Sequence, residues 1–252
     1  MPDDRAASSG EALARGESVG RSSDRGGAAE AASSHAPTPP ATPPAMPSSA
    51  PSTTAPTPAA TLPPGLTSAD VAAGLLAADV PRSASGKLVV VPGSDPAPGA
   101  GKVRTVRVEY ERGLAVDGLT FARFVMAALN DPRGWGADGR MTFARTDGKA
   151  DLRVVLASPS LVDTLCAPLR TRGEVSCGRS GRATINLKRW TLAIPEYQSD
   201  PTAYRNYVVN HEVGHLLGHQ HQKCPGKGQL APVMQQQSYG VAPCVPNPWP
   251  YP

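Results

Sequence analysis

The sequence predicts an α+β domain of about 165 residues, from about Lys87 to Pro252, behind a long tail that does not fold. Three observations predict it. From Met1 to about Gly65 there is almost no large apolar residue, whereas from Lys87 an apolar pattern continues to the C-terminus. In that second part, stretches that alternate apolar and polar residues are interleaved with stretches whose apolar residues recur at helical spacing. Four cysteines, Cys166, Cys177, Cys224 and Cys244, all lie there and offer covalent ties where the core is thin. We therefore expect residues 1–86 to be a disordered tail or stalk and residues 87–252 to be one domain, a size that sustains a single core.

The tail follows from composition. The chain has 28 prolines and 25 glycines but is only 5% aromatic, and that bias is unevenly spread. The run "APTPPATPPAMPSSAPSTTAPTPAATLPP", Ala36 to Pro64, cannot bury enough apolar surface to offset the entropy of ordering it. An extended, polyproline-like tether is the expectation.

Each element of the domain has its own signal. "VRTVRVEY", Val103 to Tyr110, alternates as a half-buried strand does. Asp117 can cap a helix with an apolar stripe of Phe121, Phe124, Val125, Ala128 and Leu129, one that backs the sheet. Pro132 and two glycines in "NDPRGWG" end it. "MTFAR" and "DLRVVLA" follow as strands, the second so continuously apolar that it belongs at the centre of the sheet. "RATINLKRW", Arg182 to Trp190, alternates again, and its Thr184, Asn186 and Lys188 suit an edge strand with one wet face. Asp200 and Pro201 then open a helix that runs to Leu217, where Gly218 ends it.

That last helix carries the chemistry. Four of the chain's five histidines, His211, His215, His219 and His221, fall in "NHEVGHLLGHQH". Residues four apart share one helix face, so His211 and His215 can grip one metal ion with nitrogens at about 2.0–2.1 Å. Glu212 flanks them and can reach a water beside the metal without binding the metal itself. Gly218 lets the chain turn back, so that His221 arrives from a new direction as third ligand. His219 competes for that place but follows the turn too closely, and a solvated or supporting role suits it. The full spacing, H-E-x-x-H-x-x-G-x-x-H, has odds of chance occurrence on the order of one in 10⁵ at this composition. A Zn²⁺ site held by His211, His215 and His221, with Glu212 as general base, is the expectation.

The cysteines pair most simply as Cys166–Cys177 and Cys224–Cys244, one of three possible pairings; free thiols and zinc ligation rank below it, as there is no C-x-x-C. Disulfides point to a secreted or cell-surface location. The N-terminal "MPDDRAASSGEALARGE" nevertheless lacks the apolar core of a signal peptide, and no stretch is long enough to span a membrane. The net charge of +4 is scattered over Arg104, Arg107, Arg123, Arg133 and Arg153 rather than clustered with aromatics, which argues against nucleic-acid partners. A monomer is expected.

The extended zinc motif resembles that of the metzincin clan of zinc peptidases. The resemblance implies a twisted mixed sheet of about four to five strands, an edge strand over the cleft, one backing helix and one active-site helix. It also implies an irregular C-terminal part, tied here by a disulfide. In that clan a methionine sits in a tight turn beneath the metal, and Met234 in "APVMQQQ", thirteen residues past His221, matches it. Some members have a tyrosine two residues later; this chain has Gln236 there, and Tyr239 is out of register, so no tyrosine role is carried over. The pieces "LASPS", "LCAPL", "NHEVGHLLGHQH", "APVMQQQ" and "PNPWP" also resemble an actinobacterial family of domains of unknown function. The functions these readings imply are, first, zinc-dependent hydrolysis of protein or peptide substrates. The alternatives are hydrolysis of a cell-wall amide or other acyl bond, and a zinc-stabilised surface binding module without catalysis.

Overall fold

The computed structural model describes residues 61–252. The Pro/Ala/Ser/Thr stalk expected for the tail falls largely outside them. In chain order the elements are α1 (Ser68–Ala72), β1 (Leu88–Val90), β2 (Lys102–Glu111), α2 (Gly118–Leu129), β3 (Met141–Arg145), β4 (Leu152–Ala157), α3 (Pro159–Cys166), β5 (Cys177–Arg179), β6 (Arg182–Asn186), α4 (Leu187–Leu192) and α5 (Pro201–Leu216). The architecture is α+β, around one mixed sheet of six strands rather than the four to five expected. Among the described residues, no helix is long and apolar enough to cross a membrane.

The long strand β2 organises the sheet. On one side it pairs in parallel with β4, Val106 to Tyr110 against Leu152 to Leu156. On the other side β3 runs parallel to its first half and β1 antiparallel to its last three residues. Beyond β4 come β6, parallel, and then β5, antiparallel. The apolar run of β4 is explained by cover on both faces. Val154 and Leu156 enter the main core with Phe121 and Val125 of α2 and Val209 and Val213 of α5. Val155 and Ala157 point the other way, onto Val162 and Cys166 of α3. Both faces of this strand are dry, so alternation disappears.

The helix signals hold. Asp117 accepts from the Thr120 N–H and starts α2; Asp200 accepts from the Ala203 N–H and starts α5. Both disulfides form as paired, Cys166–Cys177 and Cys224–Cys244.

Two expectations are corrected. The first is the domain boundary at Lys87. Thr67 and Asp70 exchange hydrogen bonds as a capping box and start α1. Leu66, Ala73 and Leu75 belong to the main core. The Ala73 carbonyl accepts from Trp190 Nε1, 3.1 Å away, and the Asp117 N–H donates to the Gly74 carbonyl at 2.8 Å. Arg205, fully buried on α5, places Nη1 on the Ala69 carbonyl and pairs Nη2 with the Asp70 carboxylate. Burial pushes the Asp70 carboxyl up, but hydrogen bonds from Arg205 and Thr67 outweigh it and hold the pKa below the ordinary value. Removing one partner of such a pair strands a buried charge, at about 3–5 kcal/mol. The segment before Lys87 is therefore bolted to the helix that carries the histidines, and Asp70 is occupied in that bolt.

The second correction is the edge strand. β6 is an inner strand, and β5 forms the edge beside it. Thr184 and Asn186 alternate with apolar residues as on a wet face, yet both are fully buried. Asn186 ends the strand and caps α4 by accepting from the Lys188 N–H at 3.0 Å, so Lys188 and Trp190 are helical rather than extended. Polar side chains with fixed local partners imitate a solvated face in the sequence.

Candidate metal centre

The helix α5 brings His211 and His215 to one face, as their spacing requires. Gly218, at φ +98°, then reverses the chain, a backbone that a residue with a Cβ rarely adopts. His221 returns over the same face, and one ring nitrogen from each of His211, His215 and His221 lies within 4.8 Å of the others. His215 Nε2 and His221 Nε2 are 3.1 Å apart. Two nitrogens bound tetrahedrally to one zinc at the usual bond length stand about 3.4 Å apart, so this spacing suits a shared ion.

The far side of each helix-borne ring is anchored. His211 Nδ1 faces the Val233 carbonyl at 2.8 Å, and His215 Nδ1 faces the His219 carbonyl at 3.0 Å. A carbonyl only accepts, so each Nδ1 carries the proton and each Nε2 keeps its lone pair for a cation. Burial, with the neighbouring imidazoles, pushes His211 down to about 3, and burial likewise lowers His215 and His221. Neutral imidazoles are the form that binds metal.

The turn after His221 serves both ends of the site. Gln235 N–H closes it on the Pro232 carbonyl at 2.8 Å. Its Val233 carbonyl orients His211, and its Met234 carbonyl accepts from the N–H of Gln222, the residue next to His221, at 3.0 Å. The Met234 side chain is buried under α5: a Cβ built on Gly214 would fall 2.5 Å from its Sδ. The Cys224–Cys244 disulfide brackets this segment.

Glu212 is buried and lines the same cleft as the triad, a cavity of about 340 Å³. Burial raises its carboxyl to about 8. Ser176 and the strand residues Cys177 and Gly178 line the cleft, as do Gln236, Ser238 and Tyr239. Tyr239 is thus on the cleft although it is not in the register of a metzincin tyrosine. His219 turns away from the triad and stacks its ring on Trp135 at 4.2 Å between centroids. It supports the site through its main chain.

Sequence reasoning missed three parts of this site. Trp135, in the Gly-rich turn after α2, donates Nε1 to the Asn210 carbonyl at 2.9 Å and fixes α5 beside His211. The Val233 carbonyl leaves no side-chain signature. The strand β5 is only three residues long, too short for a periodicity.

Among known proteins, the family comparison is informative. The model of the family described as "Protein of unknown function (DUF3152)" matches residues 75–252. The chain belongs to the DUF3152 family. The DUF3152 match starts before Lys87, as the packed segment around Leu75 requires, and it contains the triad, Glu212 and both disulfides. Comparison with curated proteins and with solved structures gave no match.

Proposed function

We propose that this DUF3152 domain is a metzincin-like, zinc-dependent peptidase that hydrolyses peptide bonds in protein or peptide substrates outside the reducing cytosol. The observation that carries this is the convergence of three imidazoles, their pKa values lowered by burial, with the buried Glu212 carboxyl on one open cleft. The donor set fits Zn²⁺: His211, His215 and His221 would hold it. A closed structural site needs a fourth ligand, but all four cysteines are in disulfides and the His219 ring is stacked on Trp135. The group found among the described residues has three members, which favours catalysis over a binding module.

When bound, zinc supplies Lewis acidity, which acidifies water and polarises a substrate carbonyl. The chain supplies the rest. Glu212 accepts a proton from the attacking water on its carboxylate and delivers it to the leaving amine. The carbonyls of Val233 and His219 hold the imidazoles in one tautomer and orientation. Met234 is buried against Gly214 of α5, which supports reading it as the counterpart of the metzincin methionine. The edge strand β5 offers unpaired main-chain groups along the cleft, to which an extended peptide can add as a strand. The two disulfides suit an oxidising location.

The test is turnover of denatured casein and a mixed peptide library by the oxidised chain, before and after chelation. Cleavage that stops on chelation and returns with zinc is expected. Cleavage indifferent to chelation, or none on either substrate, contradicts the proposal.

A further inference from the structure

A second cavity, of about 410 Å³, lies beside the triad's cleft and shares Arg170, Thr171, Val175 and Tyr239 with it. Their common wall is the loop between α3 and β5, which carries Arg170 and Arg172.

That loop is firmly built. The Cys166–Cys177 disulfide closes it at both ends. In its middle, the Asp163 carboxylate accepts from Thr171 Oγ1 at 2.5 Å and from the Gly173 N–H at 2.7 Å. Thr171 and Gly173 are buried by this, and the two arginines that flank Thr171 are exposed. Arg172 holds φ at +55°, an uncommon backbone for a residue with a side chain.

The charges of the wall are unbalanced. Glu174 is already shared by Lys188 Nζ at 2.6 Å and by Arg189, whose Nη2 lies at 3.4 Å. Arg189 also donates Nε to the Glu174 carbonyl. Arg170 and Arg172 have no carboxylate partner among the described residues. Two unengaged guanidinium groups on a fixed loop, Arg170 lining both the triad's cleft and the cavity beside it and Arg172 lining the latter, suit a carboxylate, which a guanidinium grips with two parallel hydrogen bonds.

The geometry points to a specificity device: Arg170 and Arg172 select peptides that carry an acidic side chain near the bond to be cut. This rests on the peptidase proposal and adds its substrate class. Short end-blocked alanine-rich peptides, each with a single Glu, Gln or Lys, are the probes. For the zinc-loaded chain, Glu at one register is expected to exceed Gln in kcat/KM by roughly tenfold to hundredfold. The double variant Arg170→Gln, Arg172→Gln brings that ratio close to unity, and Arg170→Glu favours Lys over Glu. Calorimetric titration of the metal-free chain gives a readout that needs no turnover: the Glu peptide binds more tightly than its Gln twin, and the double variant abolishes the difference. Equal handling of Glu and Gln by the unaltered chain, or a preference that survives the double variant, overturns the selection. Failure of the peptidase proposal looks different: no peptide is cut, while the arginine-dependent binding preference remains. Binding of neither peptide, with no cleavage, overturns both.

Discussion

Glu212→Gln is expected to keep one zinc per chain yet lose turnover by roughly 10²–10⁴-fold, the range for removal of a positioned general base. The amide has the carboxylate's shape but cannot take a proton. Glu212 is buried on the cleft and is not one of the three clustered donors, so its loss leaves the ligand set intact. The same variant has a signature in the metal-free chain. The folded carboxyl titrates near 8 against an ordinary value of 4.5, so the folded chain holds a proton that the unfolded chain has released. The stability this provides is complete below pH 4.5 and is lost as pH rises through about 8. The melting temperature of the metal-free chain relative to that of Glu212→Gln is expected to fall over that window; the difference isolates Glu212, because His211, His215 and His221, lowered by burial, add stability as pH rises and oppose it. A variant that retains zinc and cleaves the peptide library at the unaltered rate would show that Glu212 is not the base.

Gly178→Ala is expected to damage fold and site together, although it adds one methyl group. The Cβ would stand 2.1 Å from the Glu212 carbonyl oxygen and 2.9 Å from His215 Cβ. The first contact is main chain, which no rotamer change relieves, so β5 and α5 must separate at Glu212 and His215. Overpacking costs about 1–3 kcal/mol. It outweighs the gain of about 0.4–1 kcal/mol from a stiffer unfolded chain. The effect on turnover is larger, since a shift of about 1 Å in a catalytic group can cost 10²-fold. A lower melting temperature, weaker zinc binding and a deeper loss of kcat than of stability are the expected results. A variant that melts higher and cleaves normally would mean that β5 does not press on α5 as described.

Much of this could be read from the chain because the decisive signals are local. A capping aspartate, a proline at the first helical position and histidines four apart specify α5 without reference to the rest of the molecule, and Gly218 marks its end. The continuous apolar run of β4 gives its central place for the same reason. What escaped depends on contacts between distant residues. The segment around Leu75 reads as tail because its apolar residues are few; it folds because Arg205, far along the sequence, requires Asp70. β6 reads as an edge because Thr184 and Asn186 are polar, and only the hairpin partner β5 and the cap of α4 reveal them as buried. Within the site, the clustering of His211, His215 and His221 was legible. The groups that orient them, a carbonyl of Val233 and one of His219, belong to a main chain that every sequence shares.

The central claim is that His211, His215 and His221 hold zinc and leave one position free. Zinc content by elemental analysis, taken with X-ray absorption at the zinc edge on the oxidised chain, tests it most directly. One zinc per chain, bound by three imidazole nitrogens with a further position open to exchange by a small competing ligand, is the result expected. A chain without stoichiometric zinc, or one whose zinc is saturated by four side chains, would contradict it.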